Sequence, residues 1–280
     1  MVYHYPCSDG AGAALSAWLA LGKSASYEKL SYESAFIEEN LRGKNVVLLD
    51  CSLKKNHLHQ IKSIARKVMI LDHHDSAMKD LSAEEGCFFY MDNSGARLAW
   101  HYFHGIDTPA PDLIQLIEDR DLWRWSQRAR SEPLFYGLVD RDPDIDFKLY
   151  AQYLDASKLQ ALIEYGKSLM AENMRWCAET AVRAELRTFK LPDLAESYNI
   201  ICQELENDRL VSELAEYLYN RNEVDFVMFW YPLTGDQYKL SFRSNKTNIN
   251  LGELAKALGG GGHRQAAGTV ITGSPRRFLK

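Results

Sequence analysis

The 280-residue chain has no run of about 18 or more apolar residues, so the sequence predicts no membrane-spanning helix. Its first ten residues, MVYHYPCSDG, lack the basic start and long apolar stretch of a signal peptide. Cysteine is sparse. Cys7, Cys51, Cys87, Cys177 and Cys202 form an odd, scattered set, which predicts free thiols in a reducing cytoplasm rather than a disulfide framework. Positive charge is short as well: the net charge of −5 argues against strong nonspecific binding to long duplex nucleic acid. There is no internal repeat and no low-complexity segment. What remains is ordinary globular material, 46% hydrophobic and 25% charged, enough for one large domain or two moderate ones.

The charge is uneven. From Lys239 onward eight Lys/Arg face one acid, Glu253, a net of +7 that leaves −12 for the rest of the chain. Such a split either pairs a cation site with an anion site or is the charge fluctuation of any sequence. Along the first half, short apolar runs alternate with helical patterns. VYHY, NVVLLD, KVMILD and CFFYMD read as strands; GAGAALSAWLAL, KKNHLHQIKSIARK, SGARLAWHYF and DLIQLIED read as helices. That alternation predicts an α/β fold with a parallel sheet covered on both faces. Thr108–Pro111 breaks the chain. Residues 155–188 keep a helical period without proline and predict a long connecting helix. After the LPD break at Leu191, YNIICQE, DFVMFWYP and QYKLSFRS read as strands and residues 209–221 as a helix. The expected organisation is a first domain over 1–150, a helical linker over 151–190 and a smaller α/β domain over 191–280.

In open parallel sheets, sites form at the carboxyl ends of strands. Here those ends carry His4, Cys7 and Asp9; Asp50; and Asp72, His73 and His74. The helix DLIQLIED delivers Asp119, with Asp121 two residues on. A single acid at a strand end is usually a cap or turn residue. Recurrence of acids with histidines at neighbouring ends is the informative feature. Crowded carboxylates repel unless a cation joins them. Oxygen and imidazole donors together suit Mn²⁺, Mg²⁺ or Zn²⁺, and a shared carboxylate can bridge a two-metal clamp of the kind used in phosphoryl chemistry.

Near the other end, GGGGHRQAAG places Gly259 to Gly262 ahead of His263 and Arg264. The glycines let a backbone approach a ligand closely. A helix expected to begin in the following alanines would offer its N–H groups to an anion. Upstream, Arg243 and Ser244 in SFRSN are further candidates for gripping phosphate, although an exposed strand arginine is the simpler reading.

Taken in order, these stretches resemble the DHH phosphoesterase family. LDHH matches the motif that names it, HYPCSDG is similar to its first motif, VLLDCS to the second and IEDRDLW to the fourth. GGGGHRQAAG resembles the glycine-rich signature of the DHH-associated C-terminal domain. The resemblance spans nearly the whole chain. It implies a bilobed α/β protein with a central cleft and two metal ions, usually Mn²⁺. The implied ligands are His4, Asp9, Asp50, His73 and Asp119, with Asp50 bridging and Asp121 as the alternative to Asp119. It gives Asp72 and His74 supporting catalytic roles, and it assigns Arg243, Ser244, Gly260, Gly261, Gly262, His263 and Arg264 to substrate binding. One position departs from the pattern. Cys7 stands where the first motif has an aspartate, and either a soft thiolate there favours Zn²⁺ or Fe²⁺, or the thiol ligates nothing. Co²⁺ and Mg²⁺ also fit such a donor set.

By resemblance the chain is expected to be a metal-dependent phosphodiesterase that cleaves short oligonucleotides, above all linear dinucleotides, to mononucleotides. Nucleoside bisphosphate phosphatase and cyclic dinucleotide phosphodiesterase are the enzymatic alternatives, and a non-catalytic nucleotide-binding module is the alternative of a different class. An inorganic pyrophosphatase would carry an SRKKQ-type motif, which is absent. The implied partners are short oligonucleotides, without a membrane or long duplex nucleic acid, and a homodimer is left open. Among the remaining residues, His57 and His59 are read as solvated on a helix, and His101 and His104 as packed or solvated. Trp123, Trp125, Phe135 and Tyr136 are read as core or as base-stacking aromatics.

Overall fold

The computed structural model describes residues 1–280 apart from 32–37, 192–195, 209 and 222. Two sequence expectations therefore lie partly outside the described residues: the LPD break at Pro192 and Asp193, and the start of the helix expected at Arg209. The chain forms two compact units, Met1–Met170 and Ala171–Lys280.

The first unit is built on five strands: β1 (Val2–His4), β2 (Glu28–Leu30), β3 (Asn45–Leu49), β4 (Lys67–Asp72) and β5 (Cys87–Phe89). Their order is β2-β1-β3-β4-β5 and every pairing is parallel. Successive residues of a strand point to opposite faces, and here both faces are buried. Tyr3, Val47, Leu49 and Leu71 join one apolar cluster, while Val2, Val46, Leu48 and Ile70 join another. Helices α1 (Ser8–Leu21), α4 (Gly95–His104) and α5 (Asp112–Asp121) cover the first face through Leu15, Ala96, Leu113 and Ile117. Helix α2 (Lys55–Ile64) covers the second through Leu58 and Ile61, and α3 (Asp75–Leu81) adds Leu81. Two further helices, α6 (Arg128–Arg141) and α7 (Phe147–Tyr150), complete the unit on the α1 side. The continuous apolar runs in the strands follow directly from this two-sided burial.

The long helix α8 (Ala156–Ala181) contains the division between the units. Its first part lies in the first unit's core through Leu159, Leu162 and Ile163, and Cys177 lies in a core of the second. The stretch 151–190 thus differs from the expected linker. It also leaves helix earlier than 188, because Glu185–Lys190 forms strand β6, paired antiparallel to β7 (Ser197–Glu204). The second unit continues with α9 (Val211–Tyr219), β8 (Phe226–Pro232), β9 (Gln237–Arg243), α10 (Leu251–Ala257), β10 (Gly261–Gly262) and β11 (Ala266–Thr272). Its six-stranded mixed sheet runs β10-β11-β9-β8-β7-β6, with β7 and β8 parallel. Ile201, Val227 and Phe229 pack with α9, while Ile200, Met228 and Phe242 pack with α10. Among the described residues, no helix is long and apolar enough to cross a membrane.

The expected α/β architecture, a parallel-sheet domain followed by a smaller mixed α/β domain, is the one observed. One local element differs. The residues after the four glycines form β11 rather than a helix. The β-branched run Thr269-Val270-Ile271-Thr272 favours extended chain, and pairing with β9 along its whole length outweighs the helical preference of two alanines.

Candidate metal centre and active site

Strand order reverses direction between β1 and β3, and in open parallel sheets this switch point is where loops part and leave a crevice at the carboxyl ends. His4 ends β1, Asp50 follows β3, and Asp72 ends β4 with His73 and His74 next in sequence. The sequence-predicted acids and histidines therefore meet for a topological reason.

Asp50 is the centre of the group. It is 1% exposed, and its backbone is left-handed at φ 56°, a conformation aspartate tolerates better than most residues. Helix α4 packs against it so closely that a Cβ at Gly95 would lie 2.3 Å from the Asp50 Cβ, so position 95 requires glycine. Each carboxylate oxygen faces one histidine: Oδ2 lies 3.3 Å from His4 Nδ1, and Oδ1 lies 3.2 Å from His73 Nε2. Burial alone would raise the Asp50 pKa, but the hydrogen bonds and charges of His4 and His73 prevail and bring it to about 2.

Asp9 is fully buried in the first turn of α1. Its oxygens accept from the N–H groups of Gly95 (2.5 Å) and Ala96 (3.0 Å), so it closes the amino end of α4. His73 Nε2 also lies 3.6 Å from Asp9 and 3.5 Å from Asp121. Burial, with the nearby charges of Asp50 and Asp121, pushes Asp9 well above the usual carboxylate range, and burial with Asp50 raises Asp121. Burial would lower His73, but Asp50 and Asp121 raise it.

Asp72, also fully buried, holds the next histidine in place. It accepts from the backbone N–H of His73 (2.7 Å) and His74 (3.3 Å) and from Ser52 Oγ (2.5 Å), and its Oδ1 lies 2.6 Å from His74 Nδ1. That contact lifts His74 to about 9 against partial burial. Cys7 is the cap residue before α1, and burial beside Asp50 and Asp9 pushes its thiol pKa well up.

Among the described residues, three overlapping groups have ligand atoms within 4.8 Å of one another: His4, Cys7 and Asp50; Asp9, His73 and Asp121; and Asp50, Asp72, His73 and His74. Carboxylate oxygens and imidazole nitrogens dominate, which is the donor chemistry of a divalent cation. Burial and mutual repulsion raise Asp9 and Asp121, and a cation bound among these carboxylates would offset that repulsion. The residues present therefore fit the metal that the sequence implied.

Asp119 does not join this group. Its oxygens accept from Ser126 N (2.8 Å), Ser126 Oγ (2.5 Å), Gln127 N (3.2 Å) and Ser131 Oγ (2.6 Å), on the side of α5 facing the start of α6. Two residues along a helix is a rotation of about 200°, so Asp119 and Asp121 face opposite ways, and it is Asp121 that reaches His73. Sequence reasoning also missed Ser52 and the N–H groups of Gly95 and Ala96. The serine two residues after Asp50 and the cap residue Ser94, whose Oγ accepts from Arg97 N at 3.3 Å, are the signals that mark them.

In the second unit the predicted substrate residues divide. Arg243 spends donors on Ser212 Oγ (3.2 Å) and the Phe242 carbonyl (2.9 Å). Ser244 is buried, donating to the Asp225 carbonyl (2.7 Å) and accepting from Lys246 N (3.0 Å). The glycine segment follows the carboxyl end of α10, so the expected helix amino end is not there. Gly259 N and Gly260 N cap Lys256 and Ala255 of that helix instead. Gly260 lies so close to β11 that a Cβ would stand 2.2 Å from the Gly268 oxygen. Gly261 and Gly262 form the short strand β10 against β11, and His263 N donates to the Ala266 carbonyl at 2.8 Å. The side chains of His263 and Arg264 are exposed, with Arg264 donating to the Thr247 carbonyl at 3.1 Å.

Residues 197–278 match the DHHA1 domain family. The chain is 27% identical over 291 residues to an uncharacterized protein, R106, of Acanthamoeba polyphaga mimivirus, covering 98% of this chain and 67% of that protein. It is 23% identical over 299 residues to oligoribonuclease NrnB of Bacillus subtilis, covering 97% of this chain and 72% of NrnB. Among solved structures, the pGpG-specific phosphodiesterase PggH of Vibrio cholerae shares the fold at a TM-score of 0.59 and 12% identity, covering 97% of this chain and 92% of that one. In this chain the DHHA1 domain follows a sheet whose strand-end acids stand in the order the DHH motifs require. That combination supports a DHH-family phosphoesterase, a hydrolase acting on phosphodiester bonds.

Proposed function

We propose that this protein hydrolyses short oligonucleotides, linear dinucleotides foremost, to mononucleotides in a metal-dependent reaction. The observation that carries the reading is the shared position of Asp50, with one oxygen toward His4 and the other toward His73 and the acids beyond it. A carboxylate so placed would hold a divalent cation together with its histidine and aspartate neighbours. The ions would be held among His4, Asp9, Asp50, His73 and Asp121, with Asp121 taking the role the sequence gave to Asp119. Mn²⁺ or Mg²⁺ suits the oxygen-rich set, and a Cys7 thiolate beside His4 and Asp50 would instead favour a softer ion such as Zn²⁺ or Fe²⁺. When bound, two such ions supply Lewis-acid polarisation of a phosphoryl oxygen and a lowered pKa for the attacking water.

The chain's own residues do the rest. Asp50, Asp9 and Asp121 fix charge at the switch point. Asp72 orients His74, whose pKa near 9 keeps it an imidazolium at neutral pH, able to donate to charge developing on phosphate. In the second unit, His263 and Arg264 present exposed donors for a phosphate, and the +7 charge from Lys239 onward favours a polyanion there. The small size of the preferred substrate is supported by the overall charge of −5 and by the likeness to an oligoribonuclease over 97% of this chain. The five cysteines, all free, support a cytoplasmic setting.

The test is a substrate panel with Mn²⁺: 5′-phosphorylated dinucleotides, pentanucleotides, a nucleoside 3′,5′-bisphosphate and a cyclic dinucleotide, with mononucleotide or phosphate release followed. Fastest turnover is expected on the dinucleotide. Preference for the bisphosphate or the cyclic compound would replace the proposed substrate. No turnover with Mn²⁺, Mg²⁺, Co²⁺ or Zn²⁺ would point to a nucleotide-binding module.

A further inference from the structure

Directly after Asp121 the chain makes a short loop, Leu122 to Gln127, joining α5 to α6. It carries two tryptophans in left-handed backbone, Trp123 at φ 52° and Trp125 at φ 55°. Bulky side chains rarely adopt that region, and such strain persists only where the surroundings impose it. They do so here from two sides. Asp119, 3% exposed, gathers the N–H groups of Ser126 and Gln127 and the hydroxyls of Ser126 and Ser131. Arg124 is anchored to the buried Glu118 at 3.3 Å, donates to the Asp92 carbonyl, and its backbone N donates to the Asp119 carbonyl at 3.0 Å.

The residue held between these anchors does not go inward. Trp123 is 66% exposed. Its ring meets Trp125 edge-on at 5.3 Å, with Arg120 behind it at 5.0 Å from the ring centroid. The Arg120 guanidinium also lies over Trp125 (5.3 Å) and Phe135 (4.7 Å) and makes no salt bridge among the described residues. A rigid, open indole backed by a cation, on a scaffold that includes a buried four-donor clamp, is more than apolar surface left over from folding. Trp123 also follows Asp121 by two residues, so their Cα atoms are at most roughly 7 Å apart.

We propose that Trp123 is a stacking platform for one nucleobase of the substrate, beside the phosphate handled by the Asp50 group. The idea rests on the nucleotide substrate proposed above and adds where a base is held and by what. Stacking accepts any base, because every base has a π-face, so this site confers preference for nucleotides over other phosphate esters without selecting sequence. Asp119 then acts at a distance from the phosphate, by holding the loop that presents the ring.

The experiment uses the full chain with Mn²⁺ and compares equilibrium binding of adenosine 5′-monophosphate with that of ribose 5-phosphate, which has the sugar and phosphate but no base. The wild-type protein is expected to favour the nucleotide by about 5- to 150-fold, the value of one stacked base. Trp123→Ala should erase that preference while leaving ribose 5-phosphate affinity unchanged, and Trp123→Phe should keep most of it. The KM for the 5′-phosphorylated adenine dinucleotide should rise in Trp123→Ala by the same factor. A wild-type protein that does not distinguish the two ligands, or a Trp123→Ala variant that still does, overturns the platform. A Trp123-dependent preference in a protein that hydrolyses no dinucleotide leaves the platform standing and removes the phosphodiesterase reading instead.

Discussion

The strand ends of the first unit and the glycine-rich turn of the second solve opposite problems with charged side chains. At the strand ends Asp9, Asp50 and Asp72 are at most 1% exposed, and almost every oxygen has an assigned neighbour. At the turn His263 and Arg264 stand in solvent on a backbone that is itself tightly fixed by Gly260 and β11. Burial makes each charge in the first region strong, costly and dependent on its partners. Exposure makes each charge in the second weak, screened and replaceable. The first region suits chemistry, which needs charge fixed in advance. The second suits capture of a polyanion, which needs only net attraction. Substitutions should therefore cost very different amounts in the two places.

The largest effect is expected from Asp50→Asn. Asparagine keeps the shape and tolerates the left-handed backbone at φ 56°, so the fold survives while the charge shared by His4 and His73 is lost. Turnover should fall by at least about 10²–10³-fold, the scale of removing one charge contact made to a transition state. The metal content measured after dialysis against Mn²⁺ should fall with it. Wild-type turnover in this variant would remove Asp50 from the centre of the site.

Asp119 and Asp121 allow the same contrast to be drawn within one helix. Asp119→Ala leaves the N–H groups of Ser126 and Gln127 and the Ser131 hydroxyl without their acceptor, at a cost of about 1–3 kcal/mol, and Tm should drop by several degrees. Asp121→Ala removes a half-buried carboxylate whose pKa is raised by desolvation and by Asp50, so Tm should stay level or rise while turnover collapses. If the two variants exchange these signatures in thermal melts and kinetics, the sequence-based choice of Asp119 is restored.

That pair also shows what could be read in advance. The three acidic and histidine-bearing strand ends were legible because parallel strands put their carboxyl ends on one edge, whatever the connections between them. Which of Asp119 and Asp121 turns toward that edge depends on where α5 stops, and helix ends are the least readable feature of a sequence. The helix expected after the glycines failed for another reason. Two alanines carry local helical preference, but the register with β9 from Ala266 to Thr272 is a long-range fact that no local pattern encodes. Asp9 was recognised as a candidate ligand, yet its grip on the amino end of α4 joins residues 86 and 87 positions apart and could not be seen.

An intermediate effect is expected at Ser52, which touches only the acid that holds His74. Ser52→Ala removes one donor from Asp72 and loosens the carboxylate that aims His74. Partners of this kind typically contribute 10–100-fold to activity, so kcat/KM on the dinucleotide should fall by about tenfold with Tm little changed. A drop confined to Tm would make Asp72 a structural acid and detach His74 from the reaction.

The smallest effects belong to the exposed turn, and salt is what separates them from the rest. His263→Ala and Arg264→Ala should each raise KM by up to about 5-fold, the range of solvent-exposed charge contacts, with kcat held. Because such contacts are screened within about 10 Å at 0.1 M salt, raising the salt should weaken wild-type binding toward that of Arg264→Ala. The buried carboxylates of the first unit are shielded from mobile ions, so the penalty of Asp50→Asn should be the same at low and high salt. KM measured across a salt series for the three proteins checks both halves together. A salt-independent Arg264→Ala defect would mean that this arginine, too, acts in a buried setting once substrate is bound, and the division between fixed and solvated charge would no longer follow the two units.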